Sequence, residues 1–168
     1  VAGGTSDVFI TNAVIAPLTL ARSAALTRQV LPHAGRIAIC VDSIDGVTRL
    51  ATIMNDSRAA SGIATEINVF VEINVGQNRC GVEPGAAAVA LALEIRKHPA
   101  LNFAGLHAYH GKAQHMRTPA ERRVAITQAI QAAALTRQLL DSAGLQAGLV
   151  TGAGPGTITC EADRGVYD

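Results

Sequence analysis

The sequence predicts an α/β fold, the central segment of an eight-stranded β/α (TIM-type) barrel with about five parallel strands and four helices, and three observations predict it. Short β-branched runs alternate with longer stretches in which apolar residues recur at helical spacing, an arrangement suited to right-handed strand-helix-strand units. Glycine is frequent, at 16 residues, alanine is abundant, and aromatics make up only 3%. That balance suits helices packed tightly against a parallel sheet better than an all-β sandwich. The chain also opens just before a strand and stops at Tyr167-Asp168 without a polar tail. An open five-stranded sheet is possible, but two ends that look cut favour a piece of a barrel.

The elements follow in order. Val8 to Asn12 reads as a short strand, and Pro17 opens an amphipathic helix that fades by Pro32. Arg36 to Asp42 is the second strand, followed by a helix from about Ile44 to Ala59. The third strand, Asn68 to Val75, leads to an alanine-rich helix between Pro84 and His98, and the fourth strand runs from Asn102 to Tyr109. Thr118-Pro119-Ala120-Glu121 has the form of a capping box with proline in the first helical position. The helix it starts repeats apolar residues at Ile126, Ala129, Ile130 and Ala133 and stops near Gly144. A fifth strand, about Ala147 to Val150, ends in Thr151-Gly152-Ala153-Gly154-Pro155-Gly156-Thr157.

With 168 residues, 49% of them hydrophobic, the chain has the size and the apolar content of one domain, with no linker and no low-complexity tract. A net charge of +1 with scattered basic residues offers no footprint for nucleic acid and no polybasic segment for a membrane surface. The longest apolar stretches are too short to span a bilayer. Cys40, Cys80 and Cys160 are odd in number, far apart and next to apolar runs, which reads as reduced, mostly buried thiols of a cytoplasmic protein rather than a disulfide or metal framework. The chain begins Val1-Ala2-Gly3-Gly4 without a methionine, so targeting is left open.

Side chains just beyond the carboxyl ends of strands are the ones that meet a ligand in β/α proteins. On that rule Arg79, Tyr109, His107, His110, His115 and Lys112 are expected to face one site, with Asn12 and Asp42 as further lining candidates. Arg79, in a Gly-flanked turn, suits a phosphate, carboxylate or phenolate oxygen, or is an exposed loop residue paired with Glu83. Tyr109 can pack its ring on an aromatic cofactor or sit in the core. The three histidines lack the spacing of a zinc motif, and His107 and His110 fall on opposite faces if the strand continues through them. The glycines of the Thr151 to Thr157 turn could let backbone N–H groups converge on an anion, although a glycine-rich turn alone is a weak signal.

Three blocks carry a resemblance: Val71 to Gly81 (VEINVGQNRCG), Gly105 to Gly111 (GLHAYHG) with Gln114-His115 following, and Val150 to Gly154 (VTGAG). In order and spacing they resemble the D-threonine aldolase and 3-hydroxy-D-aspartate aldolase group of the alanine-racemase-like (fold type III) pyridoxal phosphate enzymes, and the likeness covers nearly the whole chain. It implies a lyase that cleaves D-β-hydroxy amino acids to glycine, or a similar small amino acid, and an aldehyde. Its cofactors are pyridoxal 5'-phosphate and a divalent metal ion (Mn, Mg or Ca), and the intact enzyme is a homodimer. The resemblance makes residues 1–168 a partial cofactor-binding barrel, from roughly the third to the seventh strand. The first strands, the cofactor lysine and the C-terminal β domain with its metal ligands would lie outside the chain.

The same resemblance implies roles for individual residues. Arg79 would lie on the phenolic oxygen side of the cofactor and Tyr109 beside its pyridine ring, with Thr151, Gly152, Gly154 and Thr157 near the phosphate. Pro155 departs from the group, which usually has threonine or serine there, so a phosphate site in this turn stays open. His115, in the Gln-His pair, is the candidate base: a neutral imidazole can take the proton of a substrate β-hydroxyl. His107 and His110 are supporting or buried residues. Lys112 stands where the group usually has a small residue and is assigned to the rim. The alternatives are a D-serine or D-threo-3-hydroxyaspartate dehydratase and, in another class, a non-catalytic pyridoxal phosphate binding protein; an independent open α/β domain is the blandest.

Overall fold

Five strands pair in the order of the sequence: β1 (Asp7–Ala13), β2 (Arg36–Val41), β3 (Ile67–Glu72), β4 (Leu101–His107) and β5 (Leu149–Thr151). Each pairing is parallel. The strand order does not reverse, which makes the sheet the wall of a half-barrel and not a doubly wound sheet with a switch point. The computed structural model of the chain describes residues 4–162 and 164–168.

The connections are the helices α1 (Pro17–Val30), α2 (Ile44–Ser61), α3 (Ala86–Arg96) and α4 (Pro119–Ser142), and a single turn, α5 (Ile158–Glu161), follows β5. The first four pack in succession, α1 on α2, α2 on α3 and α3 on α4. Their starts are written in the sequence. The Ser43 hydroxyl accepts from the Gly46 N–H at 3.1 Å to open α2. At α4, the Thr118 hydroxyl accepts from the Glu121 N–H while the Glu121 carboxylate accepts from the Thr118 N–H, completing the expected capping box. Helix α3 begins later than Pro84 because Gly85 has φ 88°. The Gly85 N–H instead donates to Thr136 of α4 at 2.8 Å, which ties the two helices together.

Period-two alternation divides the sheet residues between two faces. Ile37, Ile39 and Val41 of β2 and Ile67, Val69 and Val71 of β3 join Leu20, Leu50, Met54, Leu91 and Ile95 in the core between sheet and helices. Each large apolar side chain wholly removed from water there contributes roughly 2 kcal/mol. Ala38, Cys40 and Phe70, with Phe9 and Ala104 packed against them, form a smaller cluster on the opposite, inner face of the half-barrel.

One irregularity sets up the site. The register of β3 and β4 shifts at Gly105, where Val69 pairs with Phe103 but Phe70 pairs with Gly105. Such a bulge re-aims the side chains that follow it. Ala104 faces inward, Leu106 joins the helix-side core, and His107 turns inward again. Gly105 has φ 151°, and a Cβ there would lie 1.9 Å from the Leu149 carbonyl oxygen of β5.

Three expectations need correction. The third strand stops at Glu72 instead of Val75, because the chain turns away and returns along itself, with Asn74 N–H donating to Val82 O and Val82 N–H to Glu72 O. The fifth strand starts at Leu149 and takes in Thr151. All three cysteines are free, but only Cys40 is buried; Cys80 and Cys160 are half-exposed, since they sit in loop and terminal turn, not in the sheet. Among the described residues no helix is long and apolar enough to cross a membrane.

Candidate functional site

A cavity of about 790 Å³ opens at the carboxyl ends of the strands. Phe9, Thr11 and Asn12 of β1 line one side, Arg79 and Tyr109 come from loops, and His107, Thr151, Gly152 and Ala153 complete the wall. Six of the residues singled out from the sequence, Asn12, Arg79, His107, Tyr109, Thr151 and Gly152, thus meet in one place.

His107 is the most constrained of the group. It is 6% exposed, its ring lies edge-on to Phe9 at 5.6 Å and near-parallel to Tyr109 at 6.2 Å, and Nδ1 is 2.9 Å from the Thr151 hydroxyl oxygen. Burial, with the Arg79 charge adding to it, holds the imidazole neutral down to about 4. The Thr151 hydroxyl donates to the Leu106 carbonyl at 3.3 Å. It is then left to accept from Nδ1–H, which fixes the tautomer and turns the Nε2 lone pair away from this bond.

Arg79 does not pair with Glu83. Its guanidinium approaches Glu72 at 4.0 Å with the arginine side chain 54% exposed, so it is loosely held and free to meet an anion in the cavity. Glu72 itself is buried, with Oε2 lacking any partner among the described residues. Burial pushes its carboxyl above the ordinary range, Asp42 adds to the effect and Arg79 partly offsets it. Sequence reading passed over Glu72, although its alternation with the inward-facing Phe70 is a usable signal. Asp42 accepts from the Gly81 N–H at 3.2 Å and so anchors the Arg79 loop to β2.

The remaining candidates divide. Gly111 to His115 form one 3-10 turn, with Lys112 and His115 exposed and neither lining the cavity. His110 is buried against Gly76, whose absent side chain leaves room for the ring, and its Nδ1 has no partner among the described residues. In the turn after β5, Thr157 is wholly buried. Its N–H donates to Gly154 O at 2.9 Å and its hydroxyl to Glu161 at 2.7 Å, while the Gly154 N–H donates to the Thr157 hydroxyl oxygen at 3.2 Å. The donors of Gly154 and Thr157 are therefore spent within the turn. Gln114, singled out only as the neighbour of His115, reaches into the same turn.

A family model described as the alanine racemase, N-terminal domain matches residues 12–161. The chain belongs to the alanine racemase N-terminal domain family. Among curated members and relatives it is 40% identical over 99% of its length to a D-threonine aldolase of Arthrobacter sp. It is 33% identical over 99% of its length to a 3-hydroxy-D-aspartate aldolase of Paracoccus denitrificans (strain Pd 1222). The crystal structure of a D-threonine aldolase from Filomicrobium marinum superposes with a TM-score of 0.89 at 36% identity over 99% of this chain. The chain spans about two fifths of each of these relatives: 41%, 40% and 42% of their lengths.

Proposed function

We propose that this chain is the cofactor-binding part of the barrel of a pyridoxal-phosphate-dependent lyase that cleaves D-β-hydroxy amino acids, of the D-threonine or 3-hydroxy-D-aspartate kind, to a small amino acid and an aldehyde. The observation that carries the reading is the 40% identity, over 99% of the chain, to a protein named D-threonine aldolase. The site's own geometry is compatible with the cofactor. A cavity of about 790 Å³ is within the range of small-molecule sites, and the near-parallel rings of His107 and Tyr109 are both in its lining. Gly152, in the lining, is held close to its neighbours, since a Cβ there would lie 2.3 Å from the Tyr167 ring and 2.8 Å from the Ala108 carbonyl oxygen.

When bound, pyridoxal phosphate supplies an electron sink for the bond that breaks. Arg79 would offer its planar donors to the phenolic oxygen side, and Tyr109 would pack beside the ring. Thr151 and Gly152 would meet the phosphate, with Gly154 and Thr157 holding the turn in shape. His115, exposed on the 3-10 turn and outside the lining of the cavity, is the proposed acceptor of the substrate β-hydroxyl proton, and its neighbour Gln114 ties that 3-10 turn to the turn after β5. His107, neutral and fixed in one tautomer, would add no charge of its own beside Arg79.

Among the described residues no three His, Cys, Asp or Glu side chains gather to hold a metal ion. These residues therefore do not themselves form the divalent-metal site, and no step assigned to them passes through one. The cofactor lysine, the metal ligands, a homodimeric assembly and a cytoplasmic location belong to the proposal for the intact protein. Incubating that protein with D-threonine and with L-threonine tests it. Glycine and acetaldehyde from the D form alone support the lyase; ammonia and a keto acid without aldehyde would identify a dehydratase instead.

A further inference from the structure

Two of the three glycines in the turn after β5, Gly154 and Gly156, have a packing reason to be glycine. Neither Gly154 nor Gly156 has a positive φ, so backbone freedom does not explain them. A Cβ on Gly154 would lie 2.7 Å from Gln114 Cδ, and one on Gly156 would lie 3.0 Å from Gln114 Oε1. The two glycines make a slot for the Gln114 carboxamide. Both ends of that group are used: Nε2 donates to the Thr157 hydroxyl oxygen at 2.8 Å and Oε1 accepts from the Gly156 N–H at 2.8 Å.

The chain of bonds runs on into the interior. The Thr157 hydroxyl in turn donates a hydrogen bond to Glu161 Oε2 at 2.7 Å, and Thr157 and Glu161 are 0% and 1% exposed. A second strut joins the same two segments: Arg122 of α4 donates to Gly156 O at 2.8 Å and to Met116 O at 3.0 Å. Met116 and Gln114 flank His115 in the sequence. The segment that bears His115 is thus bolted to the turn after β5 on both sides of the imidazole.

We propose that Gln114 is a positioning residue whose carboxamide sets the shape of the Thr151 to Thr157 turn and the placement of His115 together. This rests on the pyridoxal phosphate reading, in which the turn meets the phosphate and His115 the substrate. A side chain that loses either hydrogen bond loosens both halves at once. Part-buried hydrogen bonds of this kind make a difference of about tenfold in an equilibrium when one partner is removed.

The test compares affinities of the intact, cofactor-stripped protein for pyridoxal phosphate and for pyridoxal, which lacks the phosphate, by absorbance titration. Gln114→Met keeps length and removes both hydrogen bonds. Its affinity for pyridoxal phosphate should fall about tenfold, with pyridoxal changed by less than about twofold and kcat lowered more than KM for the amino acid is raised. Gln114→Glu keeps the acceptor for Gly156 and should recover part of the loss. If Gln114→Met does not fold, the pair Thr157→Val and Thr157→Ser takes its place: valine should lower the ratio of the two affinities and serine should preserve it. An unchanged ratio in Gln114→Met, or equal ratios in the two Thr157 variants, overturns the role of Gln114. A wild-type protein that binds both compounds equally overturns the cofactor reading itself.

Discussion

Replacing His107 by asparagine should flatten the acid side of the stability profile, and the size of the effect follows from the site. The imidazole is 6% exposed and is held neutral down to about 4, against an ordinary value of 6.5. Between those values the unfolded chain binds a proton that the folded chain refuses. Stability is therefore fully present above 6.5 and is lost as pH falls from 6.5 towards 4. At about pH 5 the loss from this one group is about 2 kcal/mol, against a few tenths at about pH 7. Glu72 and Glu161 work the other way, because burial raises both: the folded state favours their protonated forms, which adds stability as pH falls. His110, also lowered by burial, acts in the same sense as His107. The raw profile mixes these groups, but the difference between wild type and His107→Asn isolates one. Urea unfolding of the intact protein and the variant should give a stability gap that shrinks by about 2 kcal/mol on going from about pH 7 to about pH 5. A gap that stays constant would refute the buried neutral imidazole.

Other consequences are open to measurement. Gly105→Ala forces a Cβ to 1.9 Å from the Leu149 carbonyl oxygen at a φ of 151°, so it should cost about 3 kcal/mol or more in thermal or urea unfolding; a loss below about 1 kcal/mol would deny the tight bulge. Arg79→Lys keeps the charge but loses the planar fork, and should weaken pyridoxal phosphate binding about tenfold with little change in melting temperature. His115→Ala should abolish cleavage while the cofactor absorbance stays that of the wild type, and retained turnover would remove the base assignment.

Much of the fold was legible because the signals were local. The capping box at Thr118, the proline at the start of α1 and the alternation of Ile37, Ile39 and Val41 each carry their own physical reason within a few residues. The site was partly legible at the strand ends, where position alone selected Arg79, Tyr109, His107 and Asn12, which line the cavity, and also His110, His115 and Lys112, which do not. What escaped depends on contacts far apart in sequence. Residue 105 has no room for a side chain because the Leu149 carbonyl of β5 lies against it, and the register shift there turns His107 inward. Glu72 approaches Arg79 in place of Glu83 because the strand's inner face, not the loop, supplies the acid. Gln114 is 43 residues from Thr157, and nothing in the sequence between them announces the slot that Gly154 and Gly156 make for it.

The most direct measurement is borohydride reduction of the intact protein with pyridoxal phosphate, followed by mass mapping of the modified lysine. The barrel reading predicts labelling on a lysine outside residues 1–168, with Lys112 and Lys97 untouched. Labelling on Lys112, which lies exposed on the 3-10 turn outside the cavity lining, or no labelling at all, would contradict it.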